Sequence, residues 1–191
     1  MRAKACRWRE RALSEIVQSQ RSWFGTLTFR SLERYKIKCE AYRLAPDFEK
    51  FSESGQFAAL HRAAFCEVTK YLKRVREQSK AQIRYMLVAE AHKDGFPHYY
   101  FIMYEGVDSK PVLYKHVARQ WNAGFCKVNL VVSSTTTVDD KGKAAWYVTK
   151  YLIKYAAARV RASVEYGKLR SEAQAGNLAV LKKALENPPP T

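Results

Sequence analysis

The sequence predicts an α+β domain built on a central antiparallel sheet of about five strands, with helices packed on one face of it. Three observations carry this. Short segments rich in aromatic and β-branched residues recur along the chain. Amphipathic stretches at helical spacing separate them. Two of the strands, near the middle, are joined by His92-Lys93-Asp94-Gly95-Phe96-Pro97, and a connection that short, with Asp-Gly and Pro, makes an antiparallel hairpin.

The elements follow in order. Arg2, Lys4, Arg7, Arg9 and Arg11 make a basic arm or helix start. Ser22–Phe29 reads as a strand, with Trp23, Leu27 and Phe29 on one face and Phe24, Thr26 and Thr28 on the other. Leu60, Ala64, Val68, Tyr71, Leu72 and Val75 recur at helical spacing. The opposite side of that helix carries Arg62, Lys70, Lys73, Arg74 and Arg76, either a solvated face or one that meets DNA. Ile83–Ala91 and His98–Glu105 are the hairpin strands. Ser109-Lys110-Pro111 starts a helix that runs toward Trp121. Gly124–Val132 is a strand and Ser133–Lys143 a polar loop. Lys143–Arg161 is a helix, and Ser171–Glu186 a weaker one. Asn187–Thr191, with three prolines, cannot continue it. This order suggests a ferredoxin-like or RNA-recognition-motif-like palm.

The 191 residues fit a single domain, with a core of about residues 6–160, a helical appendage from 161, and a frayed Pro-rich tail. Lys and Arg number 34 against 18 Asp and Glu, a formal charge of +16. A field that positive gathers polyanions, so nucleic acid is the default partner; a merely basic soluble protein is the bland alternative. No apolar run approaches the roughly 20 residues that span a bilayer. The basic N-terminus lacks the apolar stretch of a secretory signal. Cys6, Cys39, Cys66 and Cys126 form no CxxC pair and suggest neither a zinc knuckle nor a disulfide framework. They are expected to be reduced thiols in a cytoplasmic protein.

Two constellations carry chemistry. On the hairpin, His98 and Tyr100 project from the same strand face, and Glu90 and His92 share a face on the partner side. Imidazole with carboxylate suits Mg²⁺, Mn²⁺ or a borderline cation, although strand histidines are also commonly hydrogen-bonded structural residues. On the helix, Tyr147, Lys150, Tyr151, Lys154 and Tyr155 fall within one arc of about 140°. Tyr147 and Tyr151, at i and i+4, are neighbours, and each is followed three residues later by lysine. A phenol beside cations is what a phosphodiester-cleaving nucleophile requires. A cationic, aromatic interface stripe has the same pattern.

With these residues in place the chain resembles the HUH endonucleases, the rolling-circle replication initiators, and in particular those of small single-stranded DNA bacteriophages of the microvirus type. Phe24–Phe29 (FGTLTF) resembles the FxTLTY motif of the first strand. Arg84–Glu90 followed by Gly95–Tyr100 resembles the RY…GE…GRPHYH block, and Ala145–Lys154 resembles the block written YVAKYVTK. Trp8, Arg11, Glu15, Trp121 and Gly124 also fit, so the resemblance spans about residues 6–155. Tyr100 stands where the family has its second histidine, and Phe96 where it has arginine.

The resemblance implies a metal-dependent DNA endonuclease and strand transferase. It would nick single-stranded origin DNA, leave a 3′-OH and a 5′-phosphotyrosine, and later rejoin the strand. Tyr151 is the expected nucleophile, Tyr147 its partner, and Lys154 and Lys150 the phosphate-stabilising residues. Glu90 and His98 would hold Mg²⁺ or Mn²⁺, with Tyr100 or His92 completing the site. Arg30, Lys70, Lys73, Arg74, Arg76 and Lys127 are candidate DNA contacts. A host replication helicase or polymerase is a further expected partner, and the host cytoplasm the expected location if the protein is viral. The alternative is a non-catalytic single-stranded DNA- or RNA-binding relative whose metal site has decayed.

Overall fold

The computed structural model describes residues 2–106, 110–132 and 159–168, and besides these positions 137, 140, 176, 178, 179, 182 and 183. Helix α1 (Arg2–Gln18) leads into β1 (Ser22–Phe29), followed by α2 (Ser31–Leu44) and the long α3 (Glu53–Ser79). Strands β2 (Ile83–Ala91) and β3 (Pro97–Glu105) form the hairpin. The short α4 (Tyr114–Ala118) precedes β4 (Gly124–Val132), and β5 (Arg159–Ala162) joins the sheet last. The strands lie in the order β4-β1-β3-β2-β5, every neighbouring pair antiparallel. The α+β class with a five-stranded antiparallel sheet is therefore as the sequence predicts. The succession β1–α3–β2–β3–α4–β4 is the βαββαβ order of a ferredoxin-like palm.

The alternation read from β1 decides the layering. Trp23, Leu27 and Phe29 join Leu60, Ala64, Val68, Tyr71, Leu72 and Val75 in one core, beneath α2, α3 and α4. Its centre is aromatic: Phe29 lies 5.1 Å from Trp121 and 6.1 Å from Tyr99, and Tyr71 lies 5.6 Å from Trp121, ring centre to ring centre. Edge-to-face pairs of this kind each add about 0.5–1.5 kcal/mol beyond their burial. Gly25 makes room for this core: a Cβ there would lie 2.5 Å from the Phe101 ring and 2.7 Å from the Lys127 carbonyl oxygen.

The other face is not bare, which corrects the expectation of helices on one face only. Ala12, Leu13 and Ile16 of α1 pack with Phe24, Met86, Ile102 and Tyr104 in a second core, joined by Tyr166. The reason is visible in β2 and β3, which are apolar on both faces over most of their length and so need cover on both.

Three further differences have local causes. Helix α2 has no counterpart in the sequence reading, because only Ile37 and Ala41 of its 14 residues are buried and it carries almost no stripe. The helix expected to start at Ser109–Pro111 begins at Tyr114. The Val112 N–H donates to Glu105 Oε2 and its carbonyl accepts the Trp23 indole N–H, so that backbone is held outside a helix. The helix expected over Lys143–Arg161 lies outside the described residues as far as 158, and Arg159–Arg161 are strand, not helix. The open edge of β2 takes them: Arg159 pairs with Ala89 and Arg161 with Leu87, which satisfies backbone groups that β2 would otherwise leave unpaired.

Candidate active site

The hairpin turn fixes the site. The His92 N–H donates to the Phe96 carbonyl and the Gly95 N–H to the His92 carbonyl, with Gly95 at φ 77. Asp94 accepts the Phe96 N–H and an ion pair from Arg34 of α2. The Arg34 hydrogen bond is the main reason the Asp94 carboxyl sits below its ordinary range. The Arg34 guanidinium also lies over the Phe96 ring, 4.5 Å from its centre. Arg34 thus clamps the hairpin to α2. Sequence reasoning passed over it because the helix that carries it has so weak a pattern.

Just inside this turn, β2 and β3 are in register with Glu90 opposite His98, Val88 opposite Tyr100 and Ala89 opposite Tyr99. Directly opposed residues project to the same face, so Glu90 and His98 lie together on the α1 side of the sheet, beyond the part α1 covers. The His98 ring is 4.8 Å from Tyr100 and 6.2 Å from His92. His98 is half-buried. Desolvation, and then the neighbouring His92, lower its pKa, so the imidazole is held neutral with a lone pair available. Its Nδ1 is buried and has no hydrogen-bond partner among the described residues. Glu90 is half-buried, and His92 is exposed with Nδ1 3.5 Å from Asp94 Oδ1. The Tyr100 ring stacks on Phe24 at 6.3 Å, and Tyr100 is opposite Thr26 of β1.

The structure therefore brings Glu90, His92, His98 and Tyr100 to one end of one sheet face. A carboxylate and a half-buried neutral imidazole with an orphaned nitrogen are a fitting pair for a divalent cation of borderline character. Among the described residues no group of three His, Cys, Asp or Glu side chains has the spacing to hold a metal ion, so any third protein donor would be Tyr100 or come from elsewhere.

The candidate DNA contacts divide. Lys127 is exposed on β4 opposite Thr26, on the same face as Tyr100, with Phe125 (74% exposed) two residues before it. Arg30, at the start of α2, lies 3.6 Å from Glu33. The α3 set sits across the sheet from Glu90 and His98. There Lys70 pairs with Glu67 at 2.7 Å, the Arg74 Nε donates to the Gln120 carbonyl, and Arg76 lies over Tyr85; Lys73 is exposed. Tyr147, Lys150, Tyr151 and Lys154 lie outside the described residues. The four cysteines are free, and no described helix is long and apolar enough to cross a membrane.

A family model, Replication-associated protein ORF2, matches residues 22–156, which takes in β1, the hairpin, β4 and the paired tyrosines. No curated protein and no solved structure matches the chain.

Proposed function

The chain belongs to the Replication-associated protein ORF2 family, and on that premise we propose that it is a rolling-circle replication initiator of the HUH type, related to those of the microviruses, which nicks single-stranded origin DNA. The observation that carries the reading is the register of the hairpin, which sets Glu90 directly opposite His98 with Tyr100 and His92 beside them.

In this reading the Tyr151 oxygen attacks the scissile phosphorus and gives up its proton. The P–O3′ bond breaks, the departing oxygen takes a proton to become a 3′-OH, and the 5′-phosphate stays on the tyrosine. No water enters, so the bond energy is kept in the phosphotyrosine ester for later rejoining. Tyr147 serves as the alternating nucleophile. Lys150 and Lys154 offset the charge on the phosphoryl oxygens. Glu90 and His98 would hold Mg²⁺ or Mn²⁺, with Tyr100 or His92 completing the set. The chemistry supplied by such a cation, when bound, would be polarisation of a phosphoryl oxygen. Strand β5 sets Arg159 in register with Ala89, next to Glu90, and Tyr151 lies eight residues before Arg159 in the sequence.

The +16 charge supports binding of the strand through phosphate contacts, with Lys127 on the site face. A second reading, a non-catalytic single-stranded DNA-binding relative, has in its favour the stacking of Tyr100 on Phe24, which draws that ring toward the second core. Incubation with end-labelled single-stranded oligonucleotides and Mn²⁺ separates the two. The endonuclease reading expects a protein–DNA adduct that is lost in His98→Ala and Glu90→Gln. Binding with no adduct at any metal concentration would favour the second.

A further inference from the structure

A cleft of about 590 Å³ opens on the side of the sheet away from Glu90 and His98, between the end of α2, the first turns of α3 and the edge strand β5. Leu44, Phe51, His61, Arg62, Phe65 and Arg159 are among the residues that line it. Its size falls within the roughly 300–1,000 Å³ of small-molecule sites. Its chemistry is mixed in a particular way. Arg62 and Arg159 are exposed, and neither makes an ion pair among the described residues, whereas Lys36, Arg43, Lys50 and Lys70 all do. Phe51 is 39% exposed, an aromatic face open at the rim. Arg161 donates to Thr69 and stacks at 4.5 Å on Phe65, which holds that ring in place as a wall.

His61 adds a polar ring to one wall. Its Nδ1 is 3.0 Å from the Tyr99 hydroxyl. Burial, and then Arg159, push His61 down to about 4, so the ring is neutral. The cleft thus combines two guanidinium groups, a neutral imidazole and an open aromatic face. Among the described residues no carboxylate lines it.

We propose that this cleft is a nucleotide site distinct from the candidate active site, in which Arg62 and Arg159 hold a phosphate and Phe51 stacks on the base. Guanidinium forks match phosphate oxygens, and a base stacked on an aromatic ring contributes about 1–3 kcal/mol. The ligand is either a free nucleotide or one nucleotide of a strand that continues past the sheet edge at β5. The inference does not depend on nicking, because the cleft shares no residue with the hairpin site.

The test is titration calorimetry of the full chain with dAMP and, separately, with a 5′-phosphorylated hexadeoxyadenylate. The variants are Arg62→Ala, Arg159→Ala and Phe51→Ala, with Lys115→Ala, on exposed α4, as the measure of losing one surface charge anywhere. The proposal expects tenfold or greater weakening in each of the first three and at most about twofold in Lys115→Ala. Weakening seen with dAMP identifies a free-nucleotide site; weakening seen only with the hexanucleotide identifies a strand contact. Phe51→Ala changes no charge, so its effect cannot be a general electrostatic one. If the arginine variants weaken binding no more than Lys115→Ala, or Phe51→Ala binds as wild type, the proposal is overturned. His98→Ala, assayed for cleavage in the same preparations, reports on the active-site reading separately.

Discussion

Glu90 and His98 face each other across the β2–β3 ladder at the turn end of the hairpin, with the tyrosine at position 100 edge-on to the histidine ring. A phenol donates a metal lone pair only reluctantly, since its unperturbed pKa is near 10 against about 6.5 for imidazole. Tyr100→His should therefore tighten Mn²⁺ binding by about tenfold, ~1.4 kcal/mol, and raise cleavage at limiting metal. Calorimetric metal titration checks it. Unchanged affinity in Tyr100→His, with affinity lost in His98→Ala, would remove position 100 from the ligand set and leave His92, 6.2 Å from His98, as the next candidate.

The anchor of α1 is electrostatic as well as apolar. Glu15 Oε1 lies 2.9 Å from the Arg84 guanidinium, with both side chains largely buried, and it also accepts the Gly167 N–H at 2.6 Å. Glu15→Ala leaves a buried guanidinium without its carboxylate, which costs about 3–5 kcal/mol. The double variant Glu15→Leu/Arg84→Met should recover much of that, because it buries no charge. Urea denaturation of both decides it; a single variant as stable as wild type would show that the pair contributes little.

Gly25 sits where β1 passes under Phe101. Replacing a strand glycine by alanine ordinarily gains about 0.5–1 kcal/mol through backbone entropy. Here the new Cβ would lie 2.5 Å from an aromatic carbon and 2.7 Å from a main-chain oxygen of β4, and overpacking of that kind costs about 1–3 kcal/mol. The clash wins, so Gly25→Ala should lower the melting temperature. A rise would mean that the Phe101 ring moves aside freely.

Stability should depend on pH through His61. Burial pushes its pKa down to about 4, whereas the unfolded chain protonates near 6.5. Between those values the unfolded state binds a proton that the folded state excludes, so stability rises with pH over that window. His98 shifts in the same direction. The urea midpoint should climb from pH 4.5 to pH 7, and the climb should shrink in His61→Gln. An equal climb in the variant would show that other groups, such as His98, set the slope.

Much of this arrangement is legible in the residues themselves. β1, β2 and β4 begin and end where their apolar, β-branched and aromatic runs do, and the six apolar positions read from α3 are all buried, because period and burial are the same physical fact there. The hairpin turn, through its Asp-Gly, fixes the register that brings Glu90 to His98. The missed parts owe their form to partners distant in sequence. β5 is four residues long and exists because β2 has an edge to fill. α1 covers the second face because β2 and β3 are apolar on both sides, which alternation within a single strand does not reveal. Arg34 reaches the hairpin only through a helix with no clear stripe. The cleft at Arg62 and Arg159 joins residues almost a hundred positions apart.

The central claim is nucleophilic attack by a tyrosine of the YVTKYLIKY segment. Its most direct test is peptide mapping by mass spectrometry of the adduct formed with a single-stranded oligonucleotide and Mn²⁺. The account predicts a nucleotide phosphate on Tyr151, transferred to Tyr147 or lost altogether in Tyr151→Phe, with single-stranded DNA binding retained in that variant. A phosphate carried by any residue outside Tyr147 and Tyr151, or an adduct that forms at the wild-type rate when both are phenylalanine, would contradict it.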